Sequence, residues 1–167
     1  KENWREQVAA FAGRYRCIAY DSRGHGDTTP GPMVPHVAAL ADDLRAVMDA
    51  LGIQRATLVG ISVGGMTAQH FAATHPERVE RLVLMSTTAK TVDGAPFRAR
   101  ATDVRANGLD AVARATMVPR WFGAAFAAAR PDRVEEVRRR FVATDRESYA
   151  LAGRDPAVAR HGAMVPR

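Results

Sequence analysis

The stretch Ala56-Thr57-Leu58-Val59-Gly60-Ile61-Ser62-Val63-Gly64-Gly65-Met66-Thr67-Ala68-Gln69 constrains this chain more than any other. A short apolar run that reads as a buried strand meets a glycine-flanked serine, and a helical pattern follows at once. This is the G-x-S-x-G form of a nucleophile elbow, in the strand–turn–helix setting that gives the motif its meaning. The turn is sharp and strained, so the spacing predicts that a side chain at Gly60 or at Gly64 would collide with the neighbouring strand or helix. It also lifts the Ser62 hydroxyl above the sheet edge. The N–H of Val63, at the positive end of the helix, is then placed to face a developing oxyanion.

The rest of the chain supports an α/β fold. Asn3 to Ala12 carries Trp4, Val8 and Phe11 at helical spacing. Cys17-Ile18-Ala19-Tyr20-Asp21 reads as a buried parallel strand, and Ser22 to Pro32 as a turn-rich loop. Between Pro35 and Leu51 the apolar residues Val37, Leu40, Leu44, Val47, Met48 and Leu51 share one helix face, with Gly52 as the C-cap. Thr57 to Gly60 is the elbow strand, Val63 to Thr74 the elbow helix closed by His75-Pro76, and Arg81 to Thr87 a third strand. Strand, helix, strand, helix, strand predicts a parallel sheet.

After Thr88 the pattern turns wholly helical. Helices are expected over Phe97–Asn107, Leu109–Val118, Phe122–Ala129, Asp132–Ala143 and Glu147–Ala152, broken by Gly108, Pro119 and Pro131. The expected division is a partial α/β core over residues 1–90, a helical cap over 91–152 and a polar tail over 153–167.

Composition excludes several classes of function. The 167 residues are 47% apolar and 25% charged, as in an ordinary globular protein, and no apolar run is long enough to span a membrane. The net charge of +6 comes from arginines scattered through alanine-rich helices, without runs or interleaved aromatics. They read as solvated faces rather than a nucleic-acid surface. The lone Cys17 rules out an internal disulfide and fits the cytoplasm. Because the chain opens on Lys1 in the middle of a helical pattern, it is expected to be a piece of something longer.

Tyr20-Asp21-Ser22-Arg23-Gly24-His25-Gly26, Leu51-Gly52-Ile53, the elbow, and His75-Pro76-Glu77-Arg78-Val79 together resemble the α/β-hydrolase superfamily. In that resemblance the strands at Cys17, Thr57 and Leu82 are the fourth, fifth and sixth of the sheet. The third, which belongs between the first two of these, is absent, so Cys17–Asp21 and Thr57–Gly60 are not natural neighbours. The cap segments Thr102 to Leu109, Pro119-Arg120-Trp121-Phe122, Phe141 to Asp145 and Glu147 to Ala150 resemble the 3-oxoadipate enol-lactonases of the β-ketoadipate pathway of aromatic catabolism. Members of that family open an enol-lactone with serine, aspartate and histidine and no cofactor or metal.

The resemblance implies that Ser62 is the nucleophile and the Val63 N–H an oxyanion donor, acting on a small lactone or ester. It also implies a cation for the substrate's free carboxylate. Two roles stay open for Arg120 beside Trp121: a bidentate grip on that carboxylate, or a solvated arginine next to core aromatics. A general carboxylesterase and a cofactor-free perhydrolase share the elbow and remain alternatives, as does a catalytically inactive fragment. The superfamily's acid and histidine follow later strands. The late candidates here, Asp155 and His161, sit in the polar tail. His25 is expected to hydrogen-bond its loop, and His70 and His75 lie on or at the end of the elbow helix. For these 167 residues alone the expectation is therefore no hydrolase activity.

Overall fold

The computed structural model describes residues 1–29, 31, 36–89 and 95–152. Asp155, His161 and the expected tail over 153–167 lie outside the described residues. Contacts divide the chain into two units, one of Lys1–Met33 with Ala99–Ala150, the other of Val34–Arg98 with Leu151–Arg167.

The second unit carries the elbow. Its elements run α2 (Val37–Ala50), β1 (Ala56–Ile61), α3 (Val63–Thr74) and β2 (Val79–Met85), with α1 (Arg5–Phe11) belonging to the first unit. The two strands pair parallel, Leu58 opposite Leu82 and Gly60 opposite Leu84. The helices bury Ala41, Met48, Leu58, Ala68 and Phe71 in one cluster, flanked by Leu44, Ile53, Ala56 and Val79. Apolar residues at helical spacing on α2 and alternating residues on β1 thus meet as their periods require. Helix α2 is capped by His36, whose Nδ1 accepts the Ala39 N–H at 3.1 Å. Val59, Ile61 and Val83 are exposed, and so are Leu82 and Leu84.

Among the described residues the sheet has two strands, not three. Cys17–Asp21 joins no ladder, and Ile18 is exposed. A strand exists only through its hydrogen-bonded neighbour. The neighbour expected for this segment is not β1, and the two do not pair. Among the described residues the apolar run therefore joins no strand ladder.

Helix α4 (Ala95–Val112), in the first unit from Ala99 on, continues through a wide turn at Ala113–Met117 into α5 (Val118–Trp121). Helices α6 (Ala124–Ala129), α7 (Pro131–Val142) and α8 (Arg146–Ala152) follow. Ala101, Val104, Leu109, Val112, Ala113, Met117, Phe141 and Ala150 form its core. Gly108 breaks α4 as expected, at φ 80° and ψ 168°. Pro119 does not end a helix. It lies at the start of α5, directly after the wide turn at Ala113–Met117.

Charged groups join α1 and its lead-in to α7. Glu2 pairs with Arg140 at 3.5 Å, Arg5 with Glu136 at 3.5 Å and Glu6 with Arg133 at 3.7 Å. The hydrogen bond from Arg133, with the charges of Arg133, Arg140 and Arg5, holds the Glu136 carboxyl below the ordinary glutamate range. The folded state thus keeps Glu136 ionised to lower pH than the unfolded chain does. Its contribution is present above the unfolded value, about 4.3, and is lost as pH falls through the folded one. Denaturant midpoints measured between pH 6 and 3 should fall through this window, and Glu136→Gln should flatten the fall. An identical slope in the variant would show that the pairing carries no linkage.

Candidate active site

Ser62 stands between β1 and α3 with φ 53° and ψ −120°, a positive φ on a residue with a side chain. Such a conformation costs roughly 1–3 kcal/mol and persists only where its surroundings hold it. Here the surroundings are identifiable. The Ser62 N–H donates to the Met85 carbonyl at 3.0 Å. The Ser62 carbonyl accepts from the N–H groups of Gly65 at 3.0 Å and Met66 at 3.1 Å, and from the Thr87 hydroxyl at 2.7 Å. Helix α3 is tied further to the exit of β2 by Gln69, whose Nε2 donates to the Gly65 carbonyl at 3.2 Å and to the Thr88 carbonyl at 3.3 Å.

The tight approach at Gly60 is confirmed. A Cβ there would lie 2.4 Å from the Gly64 carbonyl oxygen and 2.7 Å from the Gly65 nitrogen. The expectation for Gly64 is overturned, because a Cβ at that position meets nothing within 4 Å. The second close approach belongs to Gly65, where a Cβ would fall 2.6 Å from the Thr87 Cβ. The motif places a glycine two residues after the serine, but the helix surface that faces β2 is one residue further on.

Ser62 and Val63 are both exposed. Val63 is the first residue of α3, where a backbone N–H has no intrahelical acceptor and carries the positive end of the helix dipole. Among the described residues the Ser62 hydroxyl makes no hydrogen bond. Two of the histidines singled out in the sequence have local partners. His25 Nδ1 lies 3.1 Å from the Arg23 carbonyl, inside its own loop. His75 stacks on Phe71 with ring centroids 4.9 Å apart and meets the Thr74 hydroxyl at 2.8 Å.

The two cap residues singled out lie in the first unit, on α5. Trp121 is 46% exposed and packs edge-on against Phe141 at 5.4 Å, which in turn meets Tyr149 edge-on at 5.1 Å. Arg120 is exposed and makes no hydrogen bond or ion pair among the described residues. The nearby Phe122 stacks instead on Phe126, at 5.6 Å. Trp121 therefore combines an aromatic contact with an open face, and the guanidinium beside it is uncommitted.

Residues 1–153 match the family described as the alpha/beta hydrolase fold. The chain belongs to this family. Within it, the chain is 37% identical over 148 residues to 3-oxoadipate enol-lactonase 2 of Acinetobacter baylyi, covering 88% of this chain and 55% of that protein. It is 34% identical over 155 residues to 3-oxoadipate enol-lactonase 1 of the same organism, covering 90% and 56%. Among solved structures of the hydrolase fold, the enol-lactonase from Burkholderia xenovorans LB400 superposes with a TM-score of 0.89 at 35% identity, over 96% of this chain and 61% of that one. A thermophilic esterase from Thermogutta terrifontis, with malate bound, gives 0.86 at 28% identity, over 95% and 59%. The chain thus spans little more than half the length of these relatives. No helix among the described residues is long and apolar enough to cross a membrane.

Proposed function

We propose that the protein, at the length of its relatives, is a cytoplasmic serine hydrolase that opens 3-oxoadipate enol-lactone to 3-oxoadipate. The observation that carries this reading is the 37% identity to an enol-lactonase over 88% of the chain, a span that includes both elbow and cap segments. The chemistry of the elbow is consistent with it. Ser62 Oγ attacks the lactone carbonyl while a general base removes its proton. The negative charge that develops on the carbonyl oxygen is met by the Val63 N–H. The ring oxygen then leaves as the enolate, which the proton returns to the ketone form, and water releases the acyl group from Ser62. On this reading residues 1–90 belong to the core of the full-length protein, with the nucleophile, and 91–152 to its cap, although in this chain Lys1–Met33 groups with Ala99–Ala150. Among the described residues no group meets the Ser62 hydroxyl, and on this reading the base and the triad acid belong to later strands of the full-length protein.

Arg120 is assigned to the distal carboxylate of the substrate, with Trp121 forming the apolar wall beside it. An uncommitted guanidinium supports this assignment. The esterase neighbour also favours a second reading, a general carboxylesterase with the same nucleophile. The full-length protein assayed on the enol-lactone and on p-nitrophenyl esters separates the two. Selective turnover of the lactone is the expected result, and equal or better turnover of neutral esters would overturn it. Arg120→Met should raise KM for the acidic lactone about tenfold or more, the loss of one charge-assisted contact, and leave a neutral ester nearly unchanged. Equal losses on both substrates would assign Arg120 to packing.

A further inference from the structure

We infer that Thr87 is a positioning residue that locks the backbone of Ser62 in its strained conformation, a role that neither the elbow motif nor the sequence pattern assigns. Three observations converge on it. The Thr87 hydroxyl donates to the Ser62 carbonyl at 2.7 Å, the shortest of the bonds described around that peptide. The Thr87 side chain fills the space above Gly65, where an added Cβ would stand 2.6 Å from its Cβ and 2.7 Å from both its Cγ2 and its Oγ1. Ser86, the residue before it, has φ 44° and is the other non-glycine residue at positive φ among the described residues. The chain leaves β2 through a backbone state that a side chain resists, and the residue it delivers is the one that grips the elbow.

The consequence is a clamp built from the end of one strand. Met85 takes the N–H of Ser62 and Thr87 supplies a hydrogen to its carbonyl, so both peptide groups flanking the Ser62 Cα are tied to the exit of β2. With both peptides held, φ and ψ of Ser62 are fixed together, and with them the direction of its Cα–Cβ bond, from which the hydroxyl projects, and of the Val63 N–H. The glycine at 65 lets α3 come close enough for the bond to form.

The test uses amide hydrogen exchange on the full chain, comparing the wild type with Thr87→Val, which keeps the shape and removes the hydroxyl, and Thr87→Ser, which keeps the hydroxyl. Exchange at Gly65 and Met66, whose N–H groups share the Ser62 carbonyl, should quicken about tenfold in Thr87→Val, while Leu58 and Phe71 stay protected; Thr87→Ser should behave as the wild type. Uniform quickening across the unit, or no change in Thr87→Val, would overturn the clamp. The aiming of the hydroxyl rests on the nucleophile reading above, so it is read separately with a serine-directed phosphonate on the full-length protein. Slower labelling of Ser62 in Thr87→Val, restored in Thr87→Ser, supports it. Wild-type labelling in a variant with loosened amides overturns it. A wild type that resists the reagent overturns the nucleophile reading instead, and exchange still decides the clamp.

Discussion

Ser62→Ala, made in the full-length protein, should abolish covalent labelling by a serine-directed phosphonate and reduce turnover of the enol-lactone to background. Removing the nucleophile of a well-studied serine protease lowers kcat on the order of a million-fold, so the effect is large enough to be unambiguous. The loss should come without a loss of fold. The Ser62 side chain is exposed, and the bonds that hold its backbone all run through its N–H and carbonyl, which alanine retains. Alanine also carries a Cβ and tolerates φ 53° neither better nor worse than serine does in steric terms. Mass spectrometry of the labelled peptide, with denaturation midpoints of both proteins, checks the two halves. Labelling at another residue, or turnover that survives the substitution, would show that the chemistry lies elsewhere.

The second large effect is structural. Gly60→Ala should destabilise the unit that carries the elbow by about 3 kcal/mol or more, the upper end of what overpacking costs. The new Cβ would meet the Gly64 carbonyl oxygen at 2.4 Å, the Gly64 carbonyl carbon at 2.6 Å and the Gly65 nitrogen at 2.7 Å. All three are backbone atoms, so no rotamer change relieves the contact, and the first turn of α3 must move off β1. Gly64→Ala is the control. Its Cβ meets nothing within 4 Å, and replacing a helical glycine with alanine gains up to about 1 kcal/mol. Urea midpoints of the two variants should therefore shift in opposite directions. Equal shifts would mean that the strand and helix do not approach as closely as the structure has them.

These contrasts show where the sequence was informative. Periodicity located α2, and glycine and proline punctuation located the ends of α3, α7 and the break in α4, because these signals are local and each element can be judged by its own residues. The elbow was legible for the same reason. What depends on a distant partner was not. Cys17–Asp21 has the composition of a strand, yet a strand is defined by its ladder, and among the described residues this segment joins none. The spacing G-x-S-x-G could not tell Gly64 from Gly65, since that depends on which helix face meets β2. Thr87 carried no signal at all, because its meaning lies in a carbonyl 25 positions earlier in the chain. The assignment of His36 as the cap of α2 could have been suspected from its place just before the first periodic residue, although histidine is not among the common capping residues.

The break at Gly108 can be put in terms of spelling. A backbone at φ 80° and ψ 168° lies in a region that is essentially closed to every residue with a side chain, and an added Cβ would meet no atom within 4 Å. Nothing around the position forbids a larger residue; the backbone angle alone does. Of the twenty letters the genetic code can write there, one takes up the angle without strain. Ala101 and Val104 lie before the break, Leu109 and Val112 after it, and all four are buried in one cluster. A single letter thus decides whether two short helices can share a core.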